Sequence, residues 1–541
     1  MRTTLRRGLA LAVTVALALL VLLRAELAFA LEAALLEGLA SEEASEKGEA
    51  IGRLATSGDP AALGVLSALQ EGMLRVTPEG RFVIREGRAF KDALTGAALD
   101  AEPDEAEKIT INNRLRAQVE SAIAALRIFS PDARQRLEAA RGIEPGADTL
   151  PLLSKALAAE TDPKVKGVLV NAEALARLRG GDLAQKLAAL DTLAGSTDPK
   201  VRVQLQELAQ SPEAGATESE DQLKLRTAAT EAVSAIERRI AMYDIAGRLF
   251  TGVSLGSILL LVALGLAITY GLLGVINMAH GEMLMIGAYA TYATQQVFRT
   301  HFPGSLDWYL VCAVPVSFAI AAVVGMLLER TVIRWLYGRP LETLLATWGI
   351  SLFLIQLVRQ IFGAQNVEVA NPSWMSGGIE LTSLVLPYNR IVIIGFSAFV
   401  LLLVWLMLTR TRLGLFIRGV TQNRTMASCV GVPTGRVDLM AFGLGSGIGG
   451  LAGCALSQIG NVGPDLGQSY IIDSFMVVVL GGVGQLLGTV YAALGLGVVS
   501  KFLEPYIGAV PTKILVLVLI IAFIQKRPQG LFALKGRAVE A

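Results

Sequence analysis

The sequence predicts an all-α protein: a polytopic helical membrane domain of about eight to ten spans over residues 249–541, preceded by an exported α-helical repeat domain over 31–248. Three observations predict it. The net charge of +1 hides a division, because residues 31–248 are crowded with Glu, Asp, Lys and Arg while the chain after Arg248 is mostly apolar with Gly-rich interruptions. The mean hydropathy of +0.54 over the whole chain requires membrane segments to offset that charged half. A five-residue motif recurs at helical-repeat spacing in the charged half.

In chain order, residues 1–30 have the layout of a signal peptide. Arg2, Arg6 and Arg7 precede an apolar stretch, Gly8 to Leu23, and Ala28-Phe29-Ala30 is an A-x-A cleavage pattern. That core is short for a span, so cleavage after Ala30 is expected over an uncleaved first helix. Export would place the following domain in the periplasm, where it folds without a disulfide, because the cysteines (Cys312, Cys429, Cys454) all lie in the apolar half.

The repeat is Thr161-Asp162-Pro163-Lys164-Val165, returning as Thr197-Asp198-Pro199-Lys200-Val201, with a weaker copy at Ser57-Gly58-Asp59-Pro60. Asp can cap a helix whose first position Pro occupies, so each copy marks a helix start. Leu183, Leu187, Leu190 and Leu193 form one apolar stripe at helical spacing. The pattern resembles HEAT-type repeats, which offer an extended surface to a partner; a plain helical spacer is the alternative. Leu74 to Ile84 departs from it, with a Pro-Glu-Gly turn between apolar runs that predicts a small hairpin.

Apolar runs follow near 250–275, 279–298, 309–328, 341–362, 391–409, 437–459, 471–483, 485–503 and 511–525. Arg330, Arg334 and Arg339 cluster in one connection, Arg410 to Arg436 in another, and Lys526 to Arg537 at the C-terminus. All three are expected on the cytoplasmic side, and the poorer stretches 299–308 and 363–390 outside. An external start and an internal end need an odd number of crossings, which nine segments satisfy.

The stretch Ile268 to Tyr292 carries Asn277, His280 and Glu282 among glycines in spanning-length apolar sequence. Ionisable groups there are costly and tend to face a cavity, a partner or a pathway; the alternative is a short turn between two ordinary spans. By the topology above the break falls at the cytoplasmic end of the first span. That makes His280 and Glu282 groups that shape an inner mouth or hold a broken helix, with Asn277 the better pathway candidate. Asp473 is ambiguous between pathway and helix cap. Val420 to Val430 has helical spacing and ends at Gly431-Val432-Pro433, so a short basic surface helix suited to docking a cytosolic partner is expected.

Other classes are disfavoured. With only His280 and His301 and no metal-ligand spacing, no metal cofactor is expected. No P-loop or basic–aromatic patch is present, so neither ATP nor nucleic acid is a ligand of this chain itself. No nucleophile–base constellation marks an enzyme.

Tyr270-Gly271-Leu272-Leu273-Gly274-Val275-Ile276-Asn277-Met278-Ala279-His280-Gly281-Glu282 resembles the N-terminal signature of branched-chain amino acid type ABC permeases. Arg418 to Ala427 resembles that family's cytoplasmic coupling segment, Gly443 to Gly453 its small-residue helix, and Val479 to Gly484 its late glycine motif. Phe362 to Pro372 and Asn461 to Phe475 resemble the urea permease branch, as does the long N-terminal extension. The resemblance implies a subunit of a urea importer in the inner membrane, working by alternating access with a second permease, two cytoplasmic ATPases and a periplasmic substrate-binding protein. It places Arg418, Asn423, Arg424, Thr425, Met426 and Ala427 at the ATPase contact. Urea is neutral and rich in hydrogen-bonding groups, so Asn277, Asn461 and Gln468 join His280, Glu282 and Asp473 as path candidates. A permease for branched-chain amino acids or short amides, and a passive channel with an external gating domain, are the alternatives.

Overall fold

The computed structural model describes residues 35–41, 43–56, 60–86, 89–99, 106–210, 219–274, 277–381 and 384–532. The expected signal peptide, the weak repeat copy at 57–59, Val275 and Ile276, and the C-terminal Lys535 and Arg537 lie outside them. The chain divides into two compact units, up to Arg239 and from Ile240, and the division falls inside one long helix.

The first unit begins with α1 (Ala44–Thr56) and α2 (Pro60–Gln70). A sheet follows: β1 (Leu74–Val76), β2 (Phe82–Glu86), β3 (Ala89–Asp92), β4 (Ala98–Leu99) and β5 (Glu107–Lys108). Its order is β4-β3-β2-β1-β5, antiparallel throughout. The expected hairpin is its centre, with Val76 opposite Phe82 and Gly80 at φ 79° in the turn. The all-α expectation is corrected here. The remaining strands are two to four residues long, too short to show a period of two in the sequence. Leu74 and Phe82 pack with Leu66, Leu69, Leu115 and Val119, so the sheet closes the core of the neighbouring helices.

Helices then dominate: α3 (Asn113–Arg127), α4 (Ala133–Gly142), α5 (Leu150–Ala159), α6 (Pro163–Gly180), α7 (Leu183–Leu193) and α8 (Pro199–Ala209). The recurring motif acts as its chemistry requires. Asp162 accepts from the backbone N–H of Lys164 at 2.8 Å and Asp198 from that of Lys200 at 2.8 Å, with Pro163 and Pro199 opening the helices. The α4 and α5 helices both pack on α6, burying Ala139, Leu153, Val165 and Leu169. Leu190 and Leu193 of the apolar stripe are buried, and Leu183 and Leu187 half-buried. Arg136 forks onto Glu160 (2.7 and 3.0 Å) and ties α4 to the end of α5. That guanidinium, with N–H bonds from Thr161 and Asp162, pulls the Glu160 carboxyl down to about 2.

The helix α9 (Glu220–Leu273) carries the chain into the second unit. There follow α10 (His280–His301), α11 (Tyr309–Thr331), α12 (Pro340–Phe362), the hairpin β6 (Gly378–Leu381) and β7 (Leu384–Pro387), and α13 (Tyr388–Arg410). Next come α14 (Arg412–Gln422), α15 (Arg424–Cys429), α16 (Thr434–Leu456), α17 (Leu466–Gly481), α18 (Leu486–Ile507) and α19 (Ala509–Lys526). Among the described residues seven helices are long and apolar enough to cross a membrane: α9, α11, α12, α13, α16, α18 and α19. The 16-residue α17 is shorter than those, and α10 carries His280 and Glu282 in its first turn. The bundle is inverted relative to a soluble core: α13 and α19 expose Phe399, Trp405, Val518 and Leu519, while α16 is buried along most of its length.

Candidate functional site

The site forms where α9 stops. Gly274 takes φ 66°, a left-handed conformation that glycine supplies at little cost. Asn277 turns the chain into α10: its Oδ1 accepts from Ala279 N–H at 3.0 Å, and its carbonyl from His280 N–H at 3.2 Å.

His280 is fully buried, and its Nε2–H donates to the carbonyl of Val262 at 3.2 Å. Val262 lies 11 residues back from the end of α9 (262 to 273), about 16 Å along the helix at 1.5 Å per residue. The first turn of α10 therefore sits level with Val262, about three turns before the end of α9. Hydropathy could not show it, because a six-residue connection is long enough to double back. Two glycines make room. A Cβ on Gly265 would stand 2.9 Å from the His280 ring, and one on Gly281 would stand 2.7 Å from the carbonyl of Gly467, at the start of α17.

Glu282 is also buried. Ser351 on α12 donates its hydroxyl to Oε1 at 2.8 Å, and Met278 N–H donates to Thr347 Oγ1 at 3.2 Å. Thr343, Thr347 and Ser351 recur every fourth residue and are all buried, so α12 turns a hydroxyl stripe toward the seam. Sequence reasoning missed this stripe. Its signal was hydroxyls at i, i+4 and i+8 in an otherwise apolar helix. Two polar atoms of the seam stay without a hydrogen-bond partner in buried positions: His280 Nδ1 and Glu282 Oε2. Buried polar atoms are ordinarily satisfied, so this is the part of the bundle equipped to receive a hydrogen-bonding solute.

A second buried network lies elsewhere on α10. Gln295 donates to the carbonyl of Ala370 (2.8 Å), and Tyr309 OH is shared between that carbonyl (2.8 Å) and Gln458 Oε1 (3.0 Å). Asn389 donates to the Gln458 carbonyl at 3.0 Å, so this network fastens the 363–390 connection.

The structure brings together only part of the expected path set. Asn277, His280 and Glu282 share the seam. Asn461 and Gln468 are exposed, and Asp473 is half-buried in an ion pair with Lys513 at 2.9 Å. In the basic segment the single helix expected over Val420 to Val430 is two helices, because Asn423 leaves helical backbone (φ −154°, ψ 101°) and its side chain caps α15 through Met426 N–H at 2.9 Å. Arg418 donates to the carbonyl of Leu408 at 2.7 Å, Arg424 is bound to Asp438, and Ala427 is buried. Thr425 and Met426 face outward.

The model of the family "branched-chain amino acid transport system / permease component" matches residues 248–524. This chain belongs to that family. The permease LivH of Salmonella typhimurium, a high-affinity branched-chain amino acid transport protein, is 29% identical over 292 residues, covering 52% of this chain and 94% of LivH. BraD of Pseudomonas aeruginosa is 27% identical over 297 residues, covering 54% of this chain and 96% of BraD. A probable LivH of Methanocaldococcus jannaschii is 24% identical over 296 residues, covering 51% and 88%. No solved structure matches. The chain is thus a multi-pass transport permease and not an enzyme, and its first half has no counterpart in these relatives.

Proposed function

We propose that this chain is a permease subunit of a binding-protein-dependent ABC importer that moves urea across the inner membrane by alternating access. It works with a second permease, two cytoplasmic ATPases and a periplasmic binding protein. The basic connections and the C-terminus face the cytoplasm, by their arginine and lysine content. The N-terminal unit is a periplasmic HEAT-like domain, reached after cleavage of a signal peptide.

The observation that carries urea is the make-up of the seam. Among the described residues the buried polar side chains there are hydroxyls, one amide, one imidazole and one carboxylate, and no Lys or Arg is buried. Urea has four N–H groups and one carbonyl and no charge, so Glu282 Oε2 can accept from it while a hydroxyl donates to its oxygen. A zwitterionic amino acid would bring a carboxylate into a seam without a buried cation. The names of the relatives favour that second reading, a branched-chain amino acid. Glu282→Gln keeps the shape and removes the charge, and should lower urea uptake.

The deciding experiment reconstitutes the complex and measures ATP-dependent uptake of labelled urea with unlabelled leucine as competitor. Urea uptake indifferent to leucine supports the first reading. Leucine uptake that ignores urea establishes the second. Uptake that needs neither ATP nor the ATPases would establish a passive channel.

A further inference from the structure

The helix α15 is short, and apart from Ala427 its residues are exposed. Ala427 packs into the apolar core, and one charged side chain adds a second tie to the bundle. Arg424 Nη1 donates to Asp438 Oδ1 at 3.2 Å and Nη2 donates to Oδ2, a fork onto a carboxylate in the first turns of α16. The same guanidinium lies over the Tyr337 ring, 4.9 Å from its centroid. Tyr337 OH donates to Glu329 Oε1 at 3.1 Å, near the end of α11. Asp438 and Glu329 are both buried, at 0% and 1% exposure. Arg334, in the turn Ile333–Leu336, adds positive charge within reach of both carboxylates. Four segments, from two regions of the chain, therefore close on one another: α11 with the turn before α12, and α15 with α16.

Withdrawing Arg424 would strand Asp438 without its partner in a buried position, which is far costlier than losing an exposed pair. The fork therefore resists any shift of α15 against α16. The α16 helix has no slack of its own. A Cβ on Gly450 would stand 2.6 Å from the carbonyl of Ser317 on α11, and one on Gly453 would stand 2.8 Å from Ala288 N on α10. Close-packed interfaces of this kind pass displacement on rather than absorbing it. A push on α15 reaches α16, and through it the helix that carries His280 and Glu282.

We propose that Arg424, Asp438, Tyr337 and Glu329 form a clamp that makes α15, α16 and the end of α11 move as one body during transport. Arg424 is then a positioning residue turned into the permease, and the contact with the ATPase falls to the outward-facing Thr425 and Met426. The clamp rests on the importer reading but not on the identity of the solute.

The test uses the reconstituted complex, with Cys312 and Cys454 replaced by alanine and spin labels on the native Cys429 and at position 440, both exposed. Two quantities are read: the label-to-label distance with and without trapped ATP, and solute moved per ATP hydrolysed, with urea or leucine, whichever the wild-type complex carries. The clamp predicts one narrow distance, unchanged by ATP. Asp438→Asn broadens it and lowers solute moved per ATP about tenfold while hydrolysis continues. Arg424→Lys keeps the charge but loses the fork and the stacking, and behaves the same way. Tyr337→Phe keeps the ring under Arg424 and loses only the bond to Glu329, so its effect is smaller. A wild-type distance that changes on ATP trapping overturns the clamp, as do Asp438→Asn and Arg424→Lys complexes with wild-type distance and coupling. Should Asp438→Asn fail to assemble, Arg424→Lys and Tyr337→Phe decide. A wild-type complex that moves neither solute overturns the importer reading, and the distances still decide the clamp.

Discussion

The two units spend their polar groups in opposite ways. In the first, Asp162, Asp182 and Asp198 cap helices a few residues away, and Glu160 takes a guanidinium and two backbone N–H groups at once. The caps act within three residues, the Glu160 side chain is buried against Arg136, and the work of all of them is to hold the helices. In the second, His280, Glu282 and Ser351 are buried, meet across three helices, and leave polar atoms without partners. Local satisfaction builds a scaffold. Incomplete satisfaction in a buried seam costs stability and is the kind of expense that functional sites carry.

The largest expected effect tests the packing behind that seam. Gly281→Val places side-chain atoms where a Cβ alone would stand 2.7 Å from the Gly467 carbonyl, with only backbone there to give way. The folded permease recovered from membranes should fall by about tenfold or more, since overpacking of this kind costs about 1–3 kcal/mol or more. Recovery at the wild-type level would show that the approach of α10 to α17 is loose.

Glu282→Gln comes next. It should leave assembly near normal and cut ATP-dependent uptake about tenfold, the scale of one hydrogen bond to a charged group. If uptake and KM stay unchanged, the seam does not meet the solute, and the contrast between the units reduces to packing.

Asp162→Ala should open α6, and Asp198→Ala α8, by about 1 kcal/mol each, seen as faster amide exchange confined to the capped helix. Exchange spreading into the membrane helices would break the comparison by showing that scaffold and seam share one folding unit.

The smallest effect concerns pH. The Glu160 carboxyl is held at about 2 by Arg136 against an ordinary value of 4.5. A depressed carboxyl contributes its stabilisation above the ordinary value and loses it as pH falls from about 4.5 toward 2. Amide exchange in α4 and α5 should therefore quicken across that window, and Glu160→Gln should flatten the dependence. A variant with the same pH profile as the wild type would remove Glu160 as its cause.

How legible each part was follows from the same contrast. The helix starts at Asp162-Pro163 and Asp198-Pro199 and the turn at Pro78-Glu79-Gly80 could be read directly, because cap and turn chemistry acts within a few residues. The family could be read from separated glycine motifs, and the match over 248–524 bears that resemblance out. Of the path candidates, Asn277, His280 and Glu282 are drawn together, whereas Asn461 and Gln468, chosen for residue type alone, are exposed. Thr347 and Ser351 were missed because hydroxyls in a membrane helix commonly bond their own backbone, and Thr347 does so as well, to the Thr343 carbonyl. Arg424 was placed at the ATPase contact by the resemblance, and nothing local to it points to Asp438 or Tyr337.

By itself the sequence determined the division into a charged helical half and a membrane half, the helix starts and the family, since these rest on composition and on interactions a few residues long. Only the tertiary structure decided that α10 begins level with Val262 of α9, that α12 offers hydroxyls to Glu282, and that Arg424 joins four segments. Those depend on where the chain doubles back and on which glycines let backbones touch. The physical reason is reach: an α-helix fixes neighbours up to four residues away, whereas Glu282 and Ser351 lie 69 apart in the chain and Arg424 and Tyr337 lie 87 apart (337 to 424).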